Sequence, residues 1–237
     1  MERVDNIGFG DLKLIQDPDE FCYGVDAVIL ADFASKESKK TYDLGTGTGV
    51  IPLILSVKTN AEIVGIEIQK NSFERAVRNA KENGIADRVS FINADVRDYK
   101  VWGESDKEKV DVVTSNPPYM MGLSGLKNDN EAKTIARHEI TANLNDFMKA
   151  AAFLLKDKGD LYMVHRPSRL VDIFAFSREN RLEPKEIKFV SPKIGETPNI
   201  VLVHMVKNGG KELKILPTLY VHEEDGGYTP ELKNCYK

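Results

Sequence analysis

The chain has 237 residues, a formal net charge of −4 and a hydrophobic fraction of 41%. This length and apolar content fit one domain with a full core, and the acidic balance argues against a protein that binds nucleic acid through bulk charge alone. No stretch of about 18 apolar residues predicts a membrane span, and the charged start at residues 1–5 does not resemble a signal peptide. We therefore expect no membrane association.

The two cysteines, Cys22 and Cys235, stand far apart in the sequence. They lack the CxxC spacing and the clustered histidines that mark a zinc site, so we expect no metal. Free thiols are typical of a reducing compartment, which favours a cytoplasmic location. The sequence does not determine the oligomeric state, for which a monomer is the default expectation.

From residue 40 onward, short β-rich apolar runs alternate with helical patterns, which is typical of parallel strands joined by helices. The predicted strands are 41–44, 62–66, 88–93, 110–115, 160–165, 186–191 and 200–207, and the predicted helices are 49–58, 70–83, 143–155 and 168–180. Only residues 192–198 separate the last two strands, which predicts a hairpin. The fold class is therefore α/β, with a doubly wound, mostly parallel, Rossmann-like sheet of seven strands that ends in an antiparallel hairpin.

In sheets of this kind, ligands bind beyond the carboxyl ends of the parallel strands. The loops that matter are therefore expected to start at Asp43, Glu67, Asp95 and Asn116 and, if the sixth strand is parallel, at Ser191. The residues of these loops are therefore the candidates for ligand binding and catalysis.

A glycine-rich loop joins the first predicted strand to its helix. Gly45, Gly47 and Gly49 form a GxGxG pattern, which lets the backbone turn sharply and approach a ligand. Asp43 precedes it, and Val50 stands where a dinucleotide-binding GxGxxG motif has its last glycine. Carboxylate and carbonyl oxygens suit the cationic methionine part of S-adenosylmethionine better than a phosphate. A plain tight turn is the alternative.

Acidic residues follow the next two predicted strands. Glu67 can accept hydrogen bonds from both ribose hydroxyls of a nucleoside cofactor, or it can simply be an acid favoured by a helix N-terminus. Asp95 can accept a hydrogen bond from the adenine amine of that cofactor, while Ile68 and Val96 can flank the adenine ring. Helix capping is the open alternative for Asp95.

The fourth predicted strand ends in the segment Asn116, Pro117, Pro118, Tyr119. The two prolines fix the backbone and remove two donors, which makes the turn rigid and leaves carbonyls free. The Asn116 Oδ1 atom and the Pro117 carbonyl can then accept both hydrogens of a planar amine, and Tyr119 can stack on the attached ring. Such a site works by positioning and electrostatics. The alternative is a rigid loop with a half-buried tyrosine.

With these motifs the sequence resembles class I S-adenosylmethionine-dependent methyltransferases that act on planar amino nitrogens. More narrowly, it resembles the bacterial tRNA(Val) adenine-37 N6-methyltransferase family over about residues 9–237. The segments that carry this narrower resemblance are 21–30 (FCYGVDAVIL), 136–139 (ARHE), 159–163 (GDLYM) and 227–231 (GYTPE). The resemblance implies S-adenosylmethionine as the cofactor, tRNA as the partner, and methyl transfer to the exocyclic N6 of an anticodon-loop adenine.

The resemblance also implies that Tyr23, Gly24 and Asp26 line the cofactor pocket, with Asp26 near the methionine moiety. A helix N-cap is the alternative role for Asp26. We expect a single domain over 1–237, in which residues 1–40 close the cofactor pocket, residues 41–207 form the catalytic core and residues 208–237 form a C-terminal tail.

An unpaired adenine in an RNA loop is accessible without base flipping. Arg137 and Lys193 are the candidates for contacts with the RNA backbone, although Arg137 could cap the following helix and Lys193 could be merely solvated. A protein glutamine N5-methyltransferase is the nearest competing function, but those enzymes carry a helical domain before the glycine loop. An rRNA or DNA adenine N6-methyltransferase is a further alternative, although a DNA enzyme usually needs a large target-recognition domain and none is visible. Asn116 and Tyr119 argue against a non-catalytic nucleotide-binding module, and Val50 argues against a dehydrogenase.

Overall fold

The structure is a computed structural model that describes residues 2–18, 22–118 and 142–237. The strands are β1 (Arg3–Asn6), β2 (Lys13–Gln16), β3 (Lys40–Leu44), β4 (Glu62–Glu67), β5 (Val89–Asn93), β6 (Val110–Ser115), β7 (Leu155–His165), β8 (Leu182–Ser191), β9 (Ile200–Lys207) and β10 (Lys214–Tyr220). The helices are α1 (Val25–Phe33), α2 (Val50–Lys58), α3 (Lys70–Glu82), α4 (Tyr99–Trp102), α5 (Leu144–Leu154), α6 (Leu170–Glu179) and α7 (Pro230–Cys235).

In the described part of the chain, eight strands form the main sheet in the order β10-β8-β9-β7-β6-β3-β4-β5, and β1 pairs with β2 in a separate hairpin. Strand β9 is antiparallel to both β7 and β8, so β8 runs in the same direction as β7. Ser191 therefore lies at the same edge as the ends of the other parallel strands. The doubly wound, mostly parallel sheet with an antiparallel hairpin is confirmed.

The prediction of seven strands was one too few, because β10 extends the sheet beyond β8. This strand falls in the segment 208–237 that was expected to be a tail. It is an edge strand, mostly accessible to solvent, with Pro217 inside it and an irregular register around that proline. A proline and a weak alternation of apolar and polar residues make an edge strand difficult to recognise in the sequence. Leu219 and Leu232 of the same segment are buried in the core.

Helices cover both faces of the sheet. One core cluster lies under α1, α2 and α7, and the other lies under α4, α5 and α6. Helix α1 is buried along residues 26–31 and contacts α2, α7 and the strands β7 and β9. Its apolar residues are spread around the helix and give no clear amphipathic period, which is why the sequence gives little signal for α1.

The pairing register brings the ends of the central strands together. Leu44 pairs with both Ile66 and Ser115, and Ser115 pairs with Met163. The loops after β3, β4, β6 and β7 therefore start side by side at one edge of the sheet, which we call the carboxyl edge.

The β1–β2 hairpin is attached next to the glycine-rich loop. Asn79 of α3 is fully buried, and its Oδ1 atom accepts a hydrogen bond of 2.7 Å from the Ile15 N–H. Its Nδ2 group donates to the Ile15 carbonyl and, over 2.9 Å, to the Thr48 carbonyl. One asparagine thus links β2, α3 and the glycine loop.

Within the described ranges, no helix combines the length and the apolar character that a bilayer span requires.

Gly65 in β4 is a position where the packing requires glycine. A β-carbon there would lie 2.5 Å from Phe91 Cδ1 and 2.8 Å from Thr46 Cγ2. We expect Gly65→Ala to lower the free energy of unfolding by about 1–3 kcal/mol, measured by urea denaturation, because overpacking forces neighbours to move. The control is Gly210→Ala, where no described atom lies within 4 Å of the new methyl group, and the change should stay below about 0.5 kcal/mol. Equal stability of the two variants would show that Phe91 moves away at no cost.

Candidate active site

The glycine-rich loop has a backbone that needs all three of its glycines. Gly45, Gly47 and Gly49 have φ values of 74°, 58° and 84°, in the left-handed region that other residues avoid. The N–H groups of Gly45 and Thr46 donate to the Ile66 carbonyl, which ties the loop to the end of β4. The loop is therefore a fixed turn, and Gly49 is the N-cap of α2.

Asp43 ends its strand in a fully buried position beneath this loop. Its Oδ1 atom accepts a hydrogen bond of 2.7 Å from the Thr114 hydroxyl. Among the described residues, neither its Oδ2 atom nor the buried Thr46 Oγ1 atom has a hydrogen-bond partner of normal geometry. Burial raises the pKa of Asp43 to about 6, against the opposing effect of the neighbouring Thr46 and Thr114 hydroxyls. A cation bound nearby would favour the charged form of this carboxylate.

Glu67, the last residue of β4, holds the glycine loop through a hydrogen bond. Its Oε2 atom accepts a hydrogen bond from the Gly47 N–H and its Oε1 atom accepts one from the Gln69 N–H, both over 2.8 Å. Burial raises its pKa, although these backbone hydrogen bonds act in the opposite direction. Each carboxylate oxygen has a second lone pair, so the bonds to the loop leave acceptor capacity for a ribose hydroxyl.

Asp95 has the capping geometry that the sequence left open. It is the N-cap of a 3₁₀ turn at Val96–Asp98 and accepts a hydrogen bond of 2.8 Å from the Arg97 N–H. The Arg97 guanidinium also donates to both carboxylate oxygens, and these hydrogen bonds lower the pKa of Asp95. Ile68 is 43% exposed, whereas Val96 is buried in the core. Of the two residues expected to flank an adenine ring, only Ile68 has a large open surface.

The turn after β6 lies beside the start of α1. The Asn116 Nδ2 group donates to Asp26 Oδ2 over 3.4 Å, and Asp26 Oδ1 accepts a hydrogen bond of 2.9 Å from the Ala27 N–H. Pro117 is buried and Pro118 is exposed. Helix α1 begins at Val25 with Gly24 as its N-cap, so the N-cap alternative for Asp26 was wrong.

The segment before α1 reaches this turn as well. Tyr23 is half-buried against the first core cluster, and burial raises its pKa, as does the nearby Asp5. Gly24 leaves the space that the Asp26 carboxylate fills, because a β-carbon at Gly24 would lie 2.8 Å from Asp26 Oδ1. Of the three residues that the resemblance assigned to the pocket, Asp26 contacts Asn116 and Gly24 lies beside the Asp26 carboxylate.

The remaining predicted residues are Tyr119, Arg137 and Lys193. Tyr119 and Arg137 lie outside the described residues. Lys193 is half-buried in the loop after β8, at the carboxyl edge. Three strand spacings separate β8 from β6, which is about 14 Å across the sheet.

The end of β7 lies beside the end of β6, although its residues were not among those predicted. His165 is 3% exposed, and its Nδ1 atom accepts a hydrogen bond of 2.8 Å from the Arg166 N–H. Burial lowers the pKa of His165 to about 4, and the positive charges of Arg169 and Arg166 act in the same direction. The histidine is therefore neutral at pH 7. Asn116 was selected because ligands bind beyond the carboxyl ends of parallel strands. The same criterion, applied to the predicted strand 160–165, would have found His165 and Arg166.

A family described as Methyltransferase domain matches residues 35–206 of the sequence. That span contains the glycine loop, Glu67 and Asn116. The chain belongs to this family. The methyltransferase is an enzyme whose methyl donor is S-adenosylmethionine.

Individual relatives agree with this assignment, and a solved structure shares the fold. The methyltransferase is 28% identical over 183 residues to the tRNA1(Val) (adenine(37)-N6)-methyltransferase of Parabacteroides distasonis, an alignment that covers 77% of this chain and 75% of the relative. It is 28% identical over 216 residues to the protein of the same name from Porphyromonas gingivalis, with 88% and 84% covered. A predicted O-methyltransferase from Agrobacterium tumefaciens shares the fold, with a TM-score of 0.72, 24% identity, and 89% of this chain and 96% of that chain covered.

The residues of the glycine loop fit this cofactor. Asp43 Oδ2 and Thr46 Oγ1 are buried polar atoms without a partner of normal geometry in the described structure, beside a loop that only glycines can form. A ligand with a cationic group fits an electron-rich site of this kind. The described residues contain no group of three or more His, Cys, Asp or Glu side chains that could hold a metal ion.

The buried Asp43 should make the stability of the protein depend on pH. Because its folded pKa of about 6 lies above its ordinary value of 3.8, the folded state keeps a proton that the unfolded state releases. Stability should therefore fall as the pH rises from about 4 to about 6, and stay lower above that. We expect Asp43→Asn to be more stable than the parent by about 1–3 kcal/mol at pH 8 and equal to it below pH 4, by urea denaturation.

Asp111→Asn is the matched control, with the opposite sign. Although burial opposes it, the pKa of Asp111 is lowered by hydrogen bonds from Lys156 and from the Lys40 and Lys39 N–H groups. The ionised Asp111 carboxylate should stabilise the folded state above the ordinary pKa of an aspartate, and this stabilisation should be lost in acid. The Asp111→Asn variant should therefore be less stable than the parent at pH 8. A lower stability of Asp43→Asn at pH 8 would contradict the assigned cost of burying Asp43.

Proposed function

We propose that this methyltransferase transfers the methyl group of S-adenosylmethionine to the exocyclic N6 of an adenine in RNA, in the anticodon loop of a tRNA. The proposal is supported by relatives named for this reaction at adenine 37 of tRNA1(Val), of whose length the alignments cover 75% and 84%. The observation that carries it is the geometry of Asn116, whose Nδ2 group is bound to Asp26 and whose Oδ1 atom is left to accept a hydrogen bond.

The Asn116 Oδ1 atom and the Pro117 carbonyl accept the two hydrogens of the adenine amine. These hydrogen bonds draw the nitrogen toward tetrahedral geometry and direct its lone pair, while Tyr119 stacks on the base. The bound cofactor supplies an electrophilic methyl group on its sulfonium. Positioning supplies most of the rate, and no strong base is needed, because the amine becomes acidic once it is methylated.

The cofactor is held by the loops at the carboxyl edge. Asp43 faces the cationic methionine part, Glu67 accepts from the ribose while it holds the Gly47 N–H, and Asp95 shares its carboxylate between Arg97 and the adenine amine. The proposed cofactor-binding residues are Tyr23, Gly24, Asp43, Gly45, Gly47, Gly49, Glu67, Ile68, Asp95 and Val96, and Asp26, which the resemblance adds to this set, contacts Asn116.

The chain works as one domain in which residues 1–40 close the cofactor pocket. Two contacts support this role: Asn79 links Ile15 to the glycine loop, and Asp26 reaches Asn116. The C-terminal segment supports the same region, since the rings of Phe9 and Tyr236 stack with centroids 5.5 Å apart. We propose a cytoplasmic location, which fits an RNA substrate and the free thiols.

The RNA backbone contacts Arg137 and Lys193. Arg166 extends this surface, because its guanidinium donates to the Asn199 carbonyl over 3.0 Å and so lies between the loops after β7 and before β9. Lys193 and Arg166 follow strands that lie on the side of β6 away from β4 and β5, so that the RNA and the cofactor approach the turn from different strands.

The function is tested by incubating the protein with labelled S-adenosylmethionine and total bacterial tRNA, followed by nucleoside analysis. We expect label in N6-methyladenosine from one tRNA species. Label that appears only on protein would favour a glutamine N5-methyltransferase, and label in another nucleoside would contradict the assigned atom.

Asn116→Ala should lower the rate of methyl transfer by at least about 10²-fold, because it removes a preorganised acceptor for the amine. Binding of S-adenosylhomocysteine, measured by calorimetry, should change little. The control is Asn234→Ala in α7, an exposed asparagine far from the turn, which should keep the parent rate. Parent-like turnover by the Asn116 variant would remove this residue from the mechanism.

Lys193→Ala and Arg137→Ala should weaken tRNA binding, and each should reduce the slope of log affinity against log salt by about 1. Filter binding over a salt series provides the measurement. Lys81→Ala is the matched control, because Lys81 lies in the last turn of α3, away from the carboxyl edge. Affinities that do not change in either variant would overturn this footprint.

A further inference from the structure

The rigid proline turn does not by itself decide which way the Asn116 carboxamide faces. The prolines restrict the backbone, but the terminal torsion of an asparagine side chain is broad and roughly two-fold. An amide rotated by a half-turn would present its NH₂ group to the substrate amine, and two donors would then face each other. Something outside the turn must therefore set the orientation of this amide.

Asp26 is placed to do this. Its Oδ2 atom lies 3.4 Å from Asn116 Nδ2, across 90 residues of sequence. An ionised carboxylate has acceptors only, so it can bind the NH₂ end of the amide and not the carbonyl end. The pairing therefore turns Asn116 Oδ1 away from Asp26.

The Asp26 carboxylate is itself held in place. It is 8% exposed, and its Oδ1 atom accepts a hydrogen bond of 2.9 Å from the Ala27 N–H in the first turn of α1. The space beside it exists because residue 24 is glycine, whose missing β-carbon would lie 2.8 Å from that oxygen. Val28 and Leu30 are fully buried, which fixes the helix that carries the carboxylate.

We infer that Asp26 is the positioning residue of Asn116: its carboxylate holds the Asn116 NH₂ group so that Oδ1 faces the substrate amine. This inference rests on the proposed function. The same hydrogen bond polarises the amide and makes Oδ1 a stronger acceptor, because hydrogen bonds in a chain reinforce one another.

This role differs from a contact with the methionine part of the cofactor, which the sequence resemblance implies for Asp26. Loss of a cofactor contact weakens cofactor binding. Loss of the positioning contact leaves cofactor binding in place and lowers the rate at saturating cofactor and RNA. The two roles are therefore separated by measuring cofactor affinity and kcat on the same variants.

Kinetics on Asp26→Ala and Asp26→Asn make this comparison. We expect Asp26→Ala to lower kcat about 10- to 100-fold, the range for one hydrogen bond to a charged group, and to change the Kd of S-adenosylhomocysteine by less than about 3-fold. Asp26→Asn should recover part of the rate, because a carboxamide oxygen still accepts from Asn116. In an Asn116→Ala background, Asp26→Ala should cause no further loss.

The matched control is Asp32→Asn, which removes another carboxylate of α1, the one paired with Lys58 over 2.8 Å. It should keep the parent kcat. A Kd raised 10-fold or more in Asp26→Ala with kcat preserved, or additive losses in the double variant, would overturn the positioning role.

A measurement without substrate separates this inference from the proposed function. In protein labelled with ¹⁵N-asparagine, the Asn116 side-chain NH₂ signals are identified by their absence in Asn116→Ala. We expect them to shift and to exchange faster with water in Asp26→Ala, and to stay in place in Asp32→Asn. Unchanged signals in Asp26→Ala would contradict the positioning role of Asp26, whatever the substrate is. Shifted signals in a protein that methylates no RNA would contradict only the proposed function.

Discussion

Parallel pairing of β3, β4, β6 and β7 is the constraint on which the rest of this structure depends. Leu44 lies in register with Ile66 and Ser115, and Ser115 with Met163, so four strands end at one edge. The chain reverses direction in the loops beyond that edge, and the side chains in those loops meet there. The glycine loop, Glu67, Asn116 and His165 are close together because their strands are, although up to about 120 residues separate them in sequence.

The site keeps polar groups that do not favour stability. Asp43 is buried with one oxygen lacking a normal partner in the described structure, and burial raises the pKa of Glu67 as well. Unpaired buried carboxylates cost free energy, which a folded protein tolerates where a ligand restores their partners. The cofactor is cationic at its methionine end, so its binding and the ionisation of Asp43 should favour each other.

The segments at the two ends of the chain complete the site. Helix α1 brings Asp26 to Asn116, while Leu219 of the C-terminal strand and Leu232 of the C-terminal helix join the same core cluster as α1. In the proposed site, the core strands supply the cofactor loops, and the flanking segments supply the group that orients Asn116. Both parts are needed in this proposal for a planar amine to meet a methyl donor in one geometry.

The sequence by itself determined the features that depend on neighbouring residues: the βα alternation, the GxGxG turn with its positive φ angles, and the proline-stiffened turn after Asn116. Tertiary structure decided the rest. The sequence missed β10 because Pro217 and solvent exposure hide an edge strand, and it could not assign Asp26 to Asn116. Periodicity and turn chemistry act over a few residues, whereas the Asp26–Asn116 contact joins positions 90 residues apart and exists only once the sheet has set its register and α1 has packed against it.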